Sequence, residues 1–153
     1  MSKSCPSPTL GLSRVTYPTW SLSGAAALAR ALAEPTCALE RVDISNTGIQ
    51  RAGLRLIAAA VSKRKRLREI KVDDNECSDA IIDLAMVCSL TRLSLRNTGM
   101  SDPIANKLSQ QLALDSQHDS LEIDCGNNAA CSANGRSALQ GLSKLRRNIS
   151  VLV

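Results

Sequence analysis

Apolar residues recur along this chain in two alternating rhythms, a short one with period two and a longer one with helical spacing. Three segments, LERVDISNTGI at 39–49, LREIKVDDNEC at 67–77 and LTRLSLRNTGM at 90–100, share the template L-x-x-L-x-L-x-x-[N/T]-x-apolar, and a looser fourth runs through Leu121 and Ile123. Leu10 and Leu12 fit the two central positions one unit earlier. With the second central apolar residue as marker, the equivalent sites are Leu12, Ile44, Val72, Leu95 and Ile123, spaced 32, 28, 23 and 28 residues apart. Strict alternation over so few residues predicts short strands, because successive side chains of a strand point to opposite faces.

The intervening stretches predict helices. Leu54, Ile57, Ala58 and Val61 fall on one helical face, and Ser78-Asp79 starts a second helix carrying Ile81, Leu84, Ala85 and Cys88. Ser101-Asp-Pro103 is a start signal for a third helix with Ile104, Leu108 and Leu112, since proline is tolerated in a first turn whose N–H groups lack partners anyway. Ser21 opens a helix that Pro35 terminates, and residues from about Ser132 carry Leu139, Leu142 and Leu145. The pattern is strand–turn–helix, repeated about five times.

This register resembles the ribonuclease-inhibitor type of leucine-rich repeat, in which units of about 28 residues pair a strand with a full helix. The resemblance covers roughly residues 8–153. It implies an α/β fold, a short curved solenoid of about four to five parallel strand–turn–helix repeats, with residues 1–8 as an N-terminal extension and residues 9–153 as the repeat domain. An ordinary doubly wound α/β domain is the alternative, but such domains do not repeat this register three times. The fourth unit departs from the template: Gly126 falls where Asn or Thr is expected, so a bulge over residues 125–128 is predicted. The short spacing after Val72 predicts a short helix there. The resemblance also implies that partners bind the concave face of the sheet.

Under this register Leu39, Val42, Ile44 and their equivalents point into the core, and Thr47, Asn75 and Thr98 bond backbone groups in the turns. Outward columns then run Thr9, Arg41, Glu69, Arg92, Ser120; Gly11, Asp43, Lys71, Ser94, Glu122; and Ser13, Ser45, Asp73, Arg96, Asp124. Charges alternate down these columns, so the face either neutralises itself through cross-strand pairs or serves as a polar docking surface. The two readings are compatible.

Composition narrows the chemistry. The 153 residues are one ordinary domain's worth, and 44% hydrophobic with 22% charged residues describes a packed protein. There is no Phe, and Tyr17 and Trp20 are the sole aromatics besides His118, so a base-stacking RNA sheet is disfavoured. A single histidine nearly excludes histidine catalysis and multi-histidine metal sites. The six cysteines lack Cys-x-x-Cys spacing and read as reduced thiols. A cation site at Asp73, Asp74 and Glu76 lacks the ligand alternation of a calcium loop. A Cys–His pair of His118 with Cys125 or Cys131 has no third group to orient it. No nucleotide-binding, zinc-protease or nucleophile-elbow motif is present, which predicts a chain that is not an enzyme and needs no cofactor. No apolar run approaches the ~20 residues of a membrane span. The start of the chain has no continuous apolar leader, and a cytoplasmic protein is expected. The acid-free, serine-rich first thirty-three residues also fit a mitochondrial transit sequence, and a nuclear location stays open.

The formal charge of +5 lies on the helical side, because the strand segments carry more acids than bases. Its sharpest feature is Lys63-Arg64-Lys65-Arg66 with Arg68 beyond, readable as cations at a helix C-terminus, as a contact for RNA or an acidic protein surface, or as a nuclear-import signal. Arg146-Arg147 repeats that placement. Residues 148–153 read as one more strand, and its apolar edge, Ile149, Val151, Leu152 and Val153, needs a cover: a partner or a further piece of solenoid. The functional expectation is a protein-binding scaffold module, a small structural subunit of a larger intracellular assembly, using that edge and the concave residues Arg92, Arg96 and Glu122. An RNA-contacting subunit of a ribonucleoprotein, using the basic helical side, is the alternative.

Overall fold

The computed structural model describes residues 8–12, 20–63, 65–115 and 117–153. Residues 1–7, Ser13, Tyr17 and Arg64, all invoked above, lie outside the described residues. Strands and helices alternate throughout: β1 (Thr9–Gly11), α1 (Leu22–Ala33), β2 (Arg41–Asp43), α2 (Arg51–Val61), β3 (Glu69–Lys71), α3 (Ala80–Ala85), β4 (Arg92–Ser94), α4 (Asp102–Leu114), β5 (Leu121–Asp124), α5 (Ala133–Leu145) and β6 (Ile149–Leu152). The strands form one open sheet in sequential order, β1 to β6, and every neighbouring pair is parallel. Consecutive helices pack on one another. This is an α/β fold of repeating units, each resting on the next.

The helices begin and end largely where the sequence marks them. Ser21 caps α1, its Oγ accepting from the Gly24 N–H at 3.3 Å, and Ser132 caps α5 by accepting from Asn134. Pro103 sits in the first turn of α4. The short α3 is the helix of the shortest unit. Its start differs from expectation: Asp79 makes no side-chain cap, and its carboxylate instead takes Arg51 and Arg55 from α2, with Arg55 3.1 Å away. Cys88 and Leu145 are not core residues either. Cys88 lies beyond the end of α3 and is exposed, and Leu145 is 70% exposed at the last position of α5.

Sheet register follows the template through β4. Val42, Ile70 and Leu93 are aligned and buried, as are Ile44, Val72 and Leu95 one step on, while Arg41, Lys71 and Arg92 face outward and are exposed. The fourth unit corrects the expectation by two residues. Ile123 pairs with Leu93 rather than standing level with Leu95, and Glu122 pairs with Arg92. Buried Cys125 fills the core position of Leu95, and buried Asn128, not Gly126, occupies the turn position of Thr98. The last spacing is therefore two residues longer than the sequence template suggested.

The turns explain why that position matters. Asn75 Oδ1 accepts from the Thr47 and Ile49 N–H groups, while its Nδ2 donates to the Ile44 and Val72 carbonyls at 2.9 Å. Asn128 makes the same set one pair of units later, to Thr98 N, Met100 N, Leu95 O and Cys125 O. Thr47 and Thr98 alternate with them and donate their hydroxyls to Ile44 O and Leu95 O in their own turns. Each of these four residues follows one held in the left-handed region, Asn46, Asp74, Asn97 or Asn127, which are types that tolerate positive φ. These buried turn groups thereby find their partners within the chain.

Gly53 shows how tightly the helices close. A Cβ there would sit 2.8 Å from Ala25 Cβ, so α1 and α2 approach through the missing side chain. Alanine normally favours a helix interior over glycine. Gly53→Ala should nevertheless lower stability by about 1–3 kcal/mol through overpacking, seen as a lower midpoint in chemical denaturation. An unchanged or raised midpoint would show that α1 yields.

Candidate interaction surface

The helix-covered side of the sheet is a closed apolar core, so the groups available for recognition lie on the open side. There Arg41 pairs with Glu69 on the next strand at 3.5 Å, and Arg92 with Glu122 at 4.0 Å. Lys71 turns to Glu69 of its own strand at 3.7 Å, and Arg96 bonds Asp124 at 3.1 Å. Cross-strand pairing of alternating charges is thus present. The exposed pairs among them contribute little energy individually and can be rearranged by a ligand at low cost. Asp73 and Asp74, weighed above as cation ligands, are structural. Asp73 accepts from Ser94 Oγ at 2.6 Å and from the Arg96 N–H, and Asp74 accepts from Asn97. Among the described residues, no group of three or more acidic, Cys or His side chains is placed to hold a metal ion.

Near the strand starts the open face deepens into a cleft of about 610 Å3, lined among others by Arg41, Arg68, Arg92, Arg147, Glu69 and Glu122. Its cations outnumber its acids. Glu69 is shared between Arg41 and Lys71, and among the described residues the Arg68 guanidinium donates to the Ser89 carbonyl without an ion pair and Arg147 has no ion pair. From sequence Arg147 reads only as a cation at the end of the last helix, because its place in this cleft depends on the register of β6. Arg68 also parts company with the run it adjoins. It belongs to this cleft, whereas Lys63, Lys65 and Arg66 line another one between the α1–β2 and α2–β3 connections.

At the other end of the strands, Arg96, Asp124, Leu152 and Val153 line a hollow of about 430 Å3, which brings an open-face candidate together with two from the edge strand. Leu152 is aligned with Asp124 and is 52% exposed, and Val153 is 38% exposed. Ile149 differs: it is 1% exposed, seated in the core beside Leu121, and Val151 is half-buried beside Ile123. The Cys125 N–H donates to Leu152 O, so β6 is a regular strand with its inner edge used, while on its outer side the Ile149 N–H donates to Arg146 O and the Val151 N–H to Ser143 Oγ.

The titratable side chains inside the fold are occupied structurally. His118 is buried, with Nδ1 against the Asp115 carboxylate and Nε2 3.1 Å from Val87 O. It is thus engaged away from Cys125 and Cys131. Burial alone would raise the Asp115 carboxyl, but hydrogen bonds from His118 and the Gln117 N–H hold it below its ordinary value. Arg146 closes the end of α4 rather than of its own helix, donating to Leu112 O, Ala113 O and Asp115 O. Burial pushes the thiols of Cys77 and Cys125 up to about 12, and raises Cys131 as well. These three therefore stay protonated and unreactive at neutral pH. Iodoacetamide at pH 8 should label exposed Cys88 first and half-buried Cys37 next, sparing Cys77, Cys125 and Cys131 until denaturant is added. Mass mapping of the adducts checks this, and early adducts on Cys125 would contradict it.

No family model matches the chain. It is 29% identical over 114 residues to the mouse protein "NACHT, LRR and PYD domains-containing protein 14". The match covers 71% of this chain and 11% of that protein, so the chain spans about a tenth of its relative's length. With the sequential parallel sheet, the likeness is compatible with a leucine-rich-repeat-like fold. It also suggests a protein-interaction module in general terms. Among the described residues no helix is long and apolar enough to cross a membrane.

Proposed function

We propose that residues 9–153 are a non-catalytic leucine-rich repeat domain of the ribonuclease-inhibitor-like type, preceded by an extension at residues 1–8. In this reading it holds another protein on its open, concave face and along β6, as a small structural subunit of a larger cytoplasmic assembly. The observation that carries the reading is the join at the C-terminal end of the strands. There Arg96, Leu152 and Val153 share one hollow, so polar open-face contacts run into exposed apolar area without interruption. Such a mixture of an apolar anchor with an arginine-rich surround is what protein interfaces favour. Along β6 the contact is made by the Leu152 and Val153 side chains, because the outward Ile149 and Val151 N–H groups already have acceptors within the chain. Ile149 is already spent on the core and Val151 is half-buried, so both support the edge rather than touch the partner. The surplus guanidinium groups of Arg68 and Arg147 favour an acidic partner surface.

Charge and shape can be separated by mutation. Arg92→Glu with Arg147→Glu, and independently Leu152→Asp with Val153→Asp, should each weaken the bound partner about tenfold or more. Circular dichroism should remain native for both, because all four side chains lie outside the core. Ile149→Ala should instead lower stability by about 2–5 kcal/mol as a core truncation. Retention of the partner at undiminished affinity by both double variants would refute the proposed seat.

A further inference from the structure

The basic run 63–66 is the feature of the sequence that the open face leaves without a role. α2 ends at Val61, and Ser62 closes it by donating its N–H to Ala58 O and its hydroxyl to Ala59 O. No cation lies in the last turn of that helix. Lys63, Lys65 and Arg66 instead stand exposed in the loop between α2 and β3, and none of the three has a hydrogen-bond or ion-pair partner among the described residues. None of the three bonds a carbonyl at the end of α2, whereas Arg146 bonds carbonyls at the end of α4, the neighbouring helix rather than its own.

What these cations do share is a cleft of about 220 Å3, floored by Leu32, Val61 and Leu67 with half-buried Leu39 and Cys37 beside them. The floor is wholly apolar, and no acid lines the cleft: Glu34 and Glu40, the nearest in sequence, both lie outside it. We propose that this cleft is a docking site for an acidic segment of a partner protein, one that inserts a single aliphatic side chain between flanking carboxylates. Charge complementarity selects the carboxylates, because three unpaired cations surround the opening. The floor selects the aliphatic side chain, whose transfer from water is worth about 0.8 kcal/mol per buried CH2, hence close to tenfold in affinity for every two. A nucleic acid would satisfy the cations and waste the floor. Its bases need aromatic faces to stack on, which the lining lacks, and the three cations that could bond a base would be taken by phosphates. A membrane surface would need apolar groups that protrude, whereas these are recessed.

Fluorescence polarisation with the whole chain at about 50 mM salt tests this with four probes. They are a labelled peptide of about a dozen residues with one Leu amid Asp and Glu, the same peptide with that Leu replaced by Ser, an oligouridylate of equal length, and phosphatidylserine vesicles. The Leu peptide should bind at least about tenfold more tightly than the Ser peptide, and more tightly than either polyanion. Lys63→Gln, Lys65→Gln and Arg66→Gln together should weaken it about tenfold or more and flatten its salt dependence. Cys37→Phe, which fills the cleft, should bring the Leu peptide down to the Ser peptide's affinity while keeping the salt dependence. The comparison of the two peptides on the unaltered chain needs no variant to fold. Equal binding of the Leu and Ser peptides, tighter binding of oligouridylate or vesicles, or no measurable binding of the Leu peptide would each overturn the proposal.

Discussion

Asn75→Leu is expected to cost about 3–5 kcal/mol of unfolding free energy, a large share of the roughly 5–15 kcal/mol that holds an ordinary domain together. Leucine keeps the branching and heavy-atom count of asparagine, so the loss is chiefly one of hydrogen bonds, with the bulk of two methyl groups adding to it. The substitution strips Thr47 N and Ile49 N of their acceptor and Ile44 O and Val72 O of a donor, in turns where no solvent reaches them. Ile44 O keeps the Thr47 hydroxyl, but the other three groups are orphaned at about 1–3 kcal/mol each, partly relieved by relaxation. Asn128→Leu should behave alike, because its four partners are the counterparts one pair of units along. Thr47→Val removes a single hydroxyl from its own turn and should cost about 1 kcal/mol. Urea denaturation of the three variants checks the order. Equal losses for Asn75→Leu and Thr47→Val would mean that the asparagines do not join neighbouring units.

Val72→Asp is the second large effect. Val72 is wholly buried on the helix side of the sheet, and a carboxylate there would enter the apolar core. An unpaired buried charge costs about 3–5 kcal/mol even after the group shifts its protonation. Lys71→Asp, one residue earlier on the exposed face, should change stability by less than about 1 kcal/mol. The contrast between adjacent residues tests the register, since a one-residue slip would exchange the two outcomes. Comparable destabilisation by both would show that the alternation does not separate core from solvent here.

The strands through β4 were legible because leucine, isoleucine or valine fills both central core positions of each, and the alternation has a single solution. The fourth unit was misread by two residues for a reason visible in its side chains. Cys125 is small and weakly hydrophobic, yet it fills the position of Leu95, so the eye settles on Leu121 and Ile123 instead. A better signal was present. Asn46-Thr47, Asp74-Asn75, Asn97-Thr98 and Asn127-Asn128 are one recurring pair, a residue that tolerates positive φ followed by one that satisfies the turn. Pairing on that dipeptide places Asn128 correctly. The candidate surfaces were less legible. Whether Lys63, Lys65 and Arg66 cap a helix or line a cleft depends on where α2 stops, within a residue or two. The grouping of Arg68 with Arg147 depends on long-range strand order, which no local pattern encodes. Nor does an apolar strand announce that Ile149 is buried while Leu152 is not.

The central claim is that the open face and the β6 edge are where a partner sits. Site-specific photocrosslinking in cells tests it most directly, with the crosslinker placed in turn at Ser94 on the open face, at Leu152 on the edge, and at Met86 and Leu114 on the exposed helical side. Protein adducts of one common mass shift from Ser94 and Leu152, with none of that mass from Met86 or Leu114, are the predicted result. Adducts confined to the helical positions would contradict the account.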